Sequence, residues 1–365
     1  VASNGKPLAG ASVFINNSSK GTVTASDGTF ELAFSSSSSF EIIVSFVGYK
    51  TLTFKITPPD VPKHVRFELD EQDAAAQDVV VEPIVKDGWQ RWGKLFTETF
   101  IGKSDLALRC NFKNPYALKF RYNKNTRVLK VTADEPLIVV NHGLGYSISF
   151  QLEEYEFYFN DGLTLYIGHQ YFTPLKGRNK RKEDKLVKAR LEAYNGSMAH
   201  FVRSVYAHKT LEEGFEIRRL KKIKRVDSSA LKGMANAKFI SINGKEMRPI
   251  TMKPTIKEFD ILDKNILPDS GFVKIDSITH NPFLWFDDYL QVVYNAALER
   301  PEYVEDIYPR RGRMHPTSLI WLVNKRPIQL EASGLYFDPL DLYTSGYWGW
   351  QKLAETLPTD YEPGD

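Results

Sequence analysis

Over the first seventy residues, apolar side chains fall at every second position in short runs. Ala11, Val13 and Ile15 form one run, Phe30, Leu32 and Phe34 a second, and Ile42, Val44 and Phe46 a third. Leu52, Phe54 and Ile56, then Val65, Phe67 and Leu69, complete the series. A period of two puts one face of a strand in a core and the other in solvent. Turn residues punctuate the runs, with Asn4-Gly5 and Pro7 before the first and Ser26-Asp27-Gly28 before the second. Residues 1–70 therefore read as a small β-sandwich of the seven-strand kind. The serine run Ser35 to Ser39 reads as a flexible hairpin tip, because polyserine buries nothing.

Beyond it the pattern changes. Residues 71–88, acidic and Ala-rich and then closing on Glu82-Pro83, read as a linker able to add one edge strand. Residues 89–365 read as a larger domain of mixed, β-rich character. Trp89, Trp92, Leu95, Phe96 and Phe100 have helical spacing and predict a helix over 89–101, with Gly102 as its stop. Residues 106 to 172 return to alternation, including the long ladder Tyr146, Ile148, Phe150, Leu152, Tyr155, Phe157 and Phe159. A helical insertion is predicted over 183–212. Val187, Leu191 and Tyr194 form one stripe, and Ser197 caps a second helix carrying Met198, Phe201, Val202, Val205 and Tyr206. Strands follow at 238–242, 272–275, 290–294 and 319–323, and a short helix is expected over 348–357. The fold class is mainly β, with an α+β second domain built on antiparallel sheet.

The blocks Asn4-Gly5-Lys6-Pro7-Leu8-Ala9-Gly10-Ala11-Ser12-Val13, Gly21-Thr22-Val23-Thr24, Ser26-Asp27-Gly28-Thr29-Phe30 and Val44-Ser45-Phe46-Val47-Gly48-Tyr49 occur in that order. In this the first fifth of the chain resembles the carboxypeptidase regulatory-like domain that fronts many Bacteroidota outer-membrane proteins. The resemblance implies a transthyretin-like sandwich without catalytic residues, in a cell-envelope protein associated with the outer membrane. Of the strand with which that family begins only Val1 remains, so a signal peptide or lipid anchor is expected to lie outside this chain. The strings Ala193 to Arg203, Glu213 to Ile217 and Ser345 to Tyr361 resemble uncharacterised envelope proteins of the same group, which implies a location and a lineage but no mechanism.

Composition narrows the function classes. A balance of 48 Lys+Arg against 45 Asp+Glu leaves +3, too weak a field to make nucleic acid the natural partner. No run approaches 18 apolar residues, so no helix spans a membrane. The single cysteine, Cys110, sits in a strand-like run from Leu108 to Phe112 and reads as a small buried thiol. None of the seven histidines has Glu three positions on, as a zinc peptidase requires. His200 and His208, eight apart on one predicted helix, make an incomplete metal pair. The phrase Gly143-Leu144-Gly145-Tyr146-Ser147 lacks the spacing of a nucleophile elbow and reads as a bend. No phosphate-binding glycine loop is present, and no cofactor is expected.

Three carboxylate groups are candidates for acid–base work. Glu153 with Glu154 and Glu156 is the first, and since Glu154 and Glu156 share the face opposite Tyr155 and Phe157 it reads as a solvated edge. Asp338 and Asp341 read as a turn. Asp287-Asp288, beside Trp285-Phe286, reads as a turn before a strand, or as the pair of a glycan- or peptide-acting hydrolase. Two basic runs, Lys176 to Lys182 with Lys180, Arg181 and Lys182, and Arg218 to Arg225, offer contact with anionic lipid or lipopolysaccharide, or are solvated loops. Arg310, Arg311 and Arg313 form a third cluster. Trp348 and Trp350, with Tyr336, Phe337, Tyr343 and Tyr347, are either interface anchors or core. The sequence thus favours a non-catalytic binding or assembly protein, an accessory subunit of an outer-membrane barrel or envelope complex. The alternatives are the hydrolase and a surface glycan-binding protein with Trp285, Trp348 or Trp350 as its stacking platform.

Overall fold

A computed structural model describes the chain except residues 3, 35–37, 59–61, 72–81, 178, 227–240, 243–244, 247–255, 278–280, 338 and 365. At the N-terminus β1 (Ser12–Ile15), β2 (Gly21–Val23), β3 (Phe40–Ser45) and β4 (Leu52–Ile56) form an antiparallel sheet in the order β2-β1-β3-β4. The register sets Val13 against Val44 and Ile15 against Ile42, so the alternating apolar positions stack on one face. Phe30, Leu32, Phe34 and Val65 are half-buried against that face without joining a ladder. Among the described residues the unit is therefore sandwich-like, with four paired strands. Its second layer is held by side chains and by isolated bridges such as Ala2 with Leu69. Of the serine run, residues 35–37 lie outside the described residues, and the flexible tip does not hold for the other two. Ser38 and Ser39 are buried, and the Ser39 N–H donates to the buried Glu331 carboxylate at 2.9 Å.

The next region is built on α1 (Gly88–Phe100), which buries Trp92, Phe96 and Phe100 as the spacing predicts. Ser104 then caps a short helix, α2 (Asp105–Leu108), accepting from the Ala107 N–H at 3.1 Å, and the strand expected over Leu108 to Phe112 forms at Cys110–Phe112. Strands β5 (Cys110–Phe112), β6 (Leu118–Asn123), β7 (Val128–Ala133), β8 (Leu137–Asn141), β9 (Tyr146–Tyr158) and β10 (Leu163–Pro174) form one antiparallel sheet. Its order is β5-β8-β9-β7-β6, with β10 along β9. The core-facing positions of β9 are even up to Leu152 and odd from Tyr155 onward, because the register slips opposite Ile167 and Gly168. One extra residue in a strand exchanges its faces. A side chain at Gly168 would place its Cβ 2.2 Å from the Gln151 carbonyl oxygen, so the slip is closed by a glycine.

Then come α3 (Lys180–Tyr194), α4 (Met198–Tyr206) and β11 (Phe215–Val226). A second antiparallel sheet runs Ile256–Leu262, β11, Tyr289–Tyr294, Thr317–Leu322 and Leu342–Gly346. Phe201, Val202 and Val205 of α4 share a core with Phe215, Ile217, Leu290, Val292 and Ile320 from it. The helical insertion ends at Tyr206, so His208, at φ 55° in the following turn, does not share a helix with His200. Of the strand expected over 238–242, only Ser241–Ile242 falls within the described residues. The last helix is split: a single turn at Tyr347–Trp350 and a 3-10 turn at Leu353–Glu355. A helix at Pro301–Ile307, opened by its proline, was not foreseen.

The sandwich is fastened to the first large sheet. The Asn17 N–H donates to the Gln170 carbonyl at 2.8 Å, and the Phe172 N–H donates back to that of Ser18 at 2.9 Å. Thr359 donates to the Asn17 carbonyl at 2.7 Å, and the Ser19 N–H and hydroxyl reach Asp360 at 2.8 and 2.6 Å. Among the described residues no helix is long and apolar enough to cross a membrane.

Candidate functional site

The outward face of β9 and β10 carries the polar residues that meet the sandwich. Ser45 donates to Gln151 at 3.1 Å, and Thr53 lies 3.3 Å from His169 Nε2, which donates to Glu153 at 3.0 Å. Beside this seam a depression of about 310 Å³ is lined by Lys130, Thr132, Glu153, Glu154, Glu156 and Ile167. Glu156 is buried there, because β9 is an interior strand, so it is not on the solvated edge that its alternation suggested. Burial opposes its ionisation, but the Lys130 ammonium at 2.6 Å and the Tyr158 hydroxyl outweigh that and hold its carboxyl below the usual range. The hydrogen bond from His169 likewise lowers Glu153. Both carboxylates stay ionised at neutral pH, so neither can be the protonated acid of a carboxylate pair. They can accept hydrogen bonds from a cationic or hydroxylated group.

Elsewhere burial shifts the ionisation of several groups. Burial raises Glu355, which accepts from the Ser104 hydroxyl and the Lys352 N–H, with Arg300 at 3.5 Å. Burial lowers Lys352 and pushes the Cys110 thiol up to about 12. Among the described residues no three His, Cys, Asp or Glu side chains converge as metal ligands.

The sequence-nominated residues are scattered over the molecule. Lys180, Arg181 and Lys182 are exposed in the first turn of α3. Arg310 is exposed, but Arg311 grips the buried Glu299 with two bonds of 2.8 and 2.7 Å, and Arg313 Nε donates to the Glu299 carbonyl. Trp348 is buried against Phe201 and donates to the Gly196 carbonyl at 2.8 Å, which makes it a core residue. Trp350 is half-buried, packed on Tyr303 and Tyr347 and donating to Asp306 at 3.1 Å. Asp287 and Asp288 lie exposed in the turn before Tyr289, with Asp288 at φ 61°. Trp285, beside them, is exposed, with Lys274 Nζ 5.8 Å from its ring. Asp341 is buried and holds the Asn324 amide, while Asp338 lies outside the described residues.

One surface feature was not anticipated. Beyond Leu220, β11 has a single partner, Ile256–Leu262, and the pair continues as a two-stranded ribbon. Ile223, Phe259, Ile261 and Leu262 are 36–49% exposed on it. The basic run from Arg218 to Arg225, for which a solvated loop was one reading, is instead part of strand β11, and its partner strand, thirty residues on, carries no strand signal in the sequence reading.

Residues 1–81 match the family model of the CarboxypepD_reg-like domain. No curated protein and no solved structure matches the chain.

Proposed function

We propose that this chain is a non-catalytic binding and assembly protein of the Bacteroidota cell envelope, an accessory subunit held at the outer membrane in complex with a barrel or export machine. The observation that carries the reading is the union of the regulatory-like domain with the rest of the molecule. The sandwich is seated on β10 and the C-terminal segment by backbone hydrogen bonds in both directions. Edge strand β2 runs from this seat, where Gly21 lies against Tyr171, to the exposed Val23, and Val47 is exposed in the turn after β3. An open edge next to exposed apolar residues is the usual ground for strand addition or protein docking. The ionised, paired carboxylates and the exposed turn of Asp287 and Asp288 favour binding over turnover.

The test is a crosslinked pull-down from native envelopes through a C-terminal tag, followed by mass spectrometry. Stoichiometric recovery of an outer-membrane barrel or its partners is the expected result, and its loss in a Val23→Asp variant would tie the contact to the edge. Recovery of the chain alone would overturn the reading and direct attention to substrate screens on Asp287→Asn and Asp288→Asn.

A further inference from the structure

The ribbon made by β11 and Ile256–Leu262 carries exposed apolar side chains and lysines together. Directly opposed residues in an antiparallel pair share a face. The register sets Lys221 against Ile261 and Ile223 against Phe259, so these four side chains lie on one face, all exposed. The other face carries Lys222 opposite Asp260 and Leu220 opposite Leu262. Lys222 also stands 4.8 Å above the Tyr289 ring. In sequence the ribbon segments 221–226 and 256–262 hold five basic and two acidic residues, a surplus of +3.

We infer that this ribbon face docks on an anionic glycerophospholipid bilayer. Ile223, Phe259 and Ile261 would enter the headgroup–acyl boundary, while the ammonium group of Lys221 on the same face meets lipid phosphates. Lysine is depleted in the cores of protein–protein interfaces. At a lipid surface its long stem lies along apolar neighbours while the charge reaches the phosphate layer. A second copy of the chain would bring the same cationic strand against itself, which the charge opposes. The inference goes beyond the assembly reading and uses only the purified chain, so a failed pull-down leaves it standing and a failed lipid assay leaves the pull-down standing.

The experiment is flotation of the full chain with phosphatidylethanolamine vesicles, with and without phosphatidylglycerol, at low and high salt. Binding is expected only with phosphatidylglycerol and is expected to weaken with salt. Lys221→Gln is expected to lower partitioning by about fivefold. Ile223→Ser, Phe259→Ser and Ile261→Ser together are expected to lower it while leaving the remaining binding salt-sensitive. All four side chains are exposed, and unchanged circular dichroism and melting confirm folded variants. Lys94→Gln with Lys188→Gln, exposed lysines on α1 and α3, is expected to bind as the parent does. Equal flotation with neutral vesicles, undiminished binding of the ribbon variants, or equal loss in the α1/α3 variant would overturn the inference. So would competition by free glycerol phosphate, or a lipid-independent dimer that the serine variant abolishes.

Discussion

His200 is buried among Tyr194, Phe215 and Tyr294, and its two ring nitrogens face opposite kinds of partner. Nδ1 accepts the Gly196 N–H at 3.1 Å, so Nε2 carries the proton and donates to Glu213 at 3.2 Å. Only the neutral ring satisfies both, since a protonated Nδ1 would face another N–H. Burial is the main cause that lowers His200 below 6.5, with Arg203 adding to it and Glu213 opposing. The unfolded chain therefore takes up this proton first as pH falls. The residue's contribution to stability is complete above 6.5 and is lost as pH drops from there toward the lowered folded value. We expect the urea midpoint of the parent to fall between pH 7 and 5.5, and that slope to flatten in His200→Asn. Equal slopes in the two proteins would contradict this account. The sequence displays the histidine and its helix, and it invites a metal pair with His208. It does not display Glu213, which reaches the ring only because the chain turns back after Tyr206, a tertiary fact that no local period encodes.

At the scale of elements, the two long periodic segments show where pattern reading works and where it stops. The α1 stripe and the β9 ladder are legible because their apolar residues mark the buried positions, and even the change of parity between Leu152 and Tyr155 is visible in the sequence. The bulge that causes it is explained only by Gly168 on the neighbouring strand. On α3 the apolar spacing of Val187, Leu191 and Tyr194 points to one face, but the helix buries Leu186, Arg190, Ala193 and Tyr194. The displaced residue is Arg190, which hydropathy assigns to solvent. Its Nε donates to the Leu144 carbonyl at 2.9 Å, its guanidinium lies 4.7 Å from the Tyr146 ring, and Glu183 Oε1 stands 4.0 Å from Nη1, so the buried charge has a carbonyl, a ring and a carboxylate around it. The two faces predict different costs. Leu186→Ala should lower stability by about 2–4 kcal/mol by opening a cavity, and Leu191→Ala, more than a third exposed, by no more than about 0.5 kcal/mol. Chemical denaturation of the two variants checks this, and equal losses would mean the helix is rotated from the position described.

For the whole molecule, the question is whether the sandwich behaves as a separate bead or as part of one body. Sequence alone favours the bead, because composition shifts over 71–88 and each side has its own hydrophobic period. The turn between β1 and β2 argues for the body. Asn17 adopts φ 59°, a conformation that asparagine tolerates, and this turns the chain so that Asn17, Ser18 and Ser19 bond to β10 and to the C-terminal segment at once. Next to it, a Cβ at Gly21 would sit 2.7 Å from the Tyr171 ring, so the strand that follows approaches β10 as closely as a glycine allows. Asp360 is the member of this junction most distant in sequence, and its carboxylate takes two bonds from Ser19 with Lys20 at 3.8 Å. Removing it in Asp360→Ala takes away charge-assisted bonds at a site about a quarter exposed. A loss of about 1.4 kcal/mol follows, a factor of about ten in the local opening equilibrium. Hydrogen exchange should then accelerate about tenfold at the amides of Asn17, Ser19 and Phe172, while Ile42 to Val44 in the centre of the sandwich keep their protection. If those central amides accelerate equally, the junction is part of the sandwich's own folding unit. If only the junction amides respond, the sandwich is stable by itself and Asp360 governs how firmly it is seated, which is the property an assembly subunit would need to present its open edge in a fixed direction.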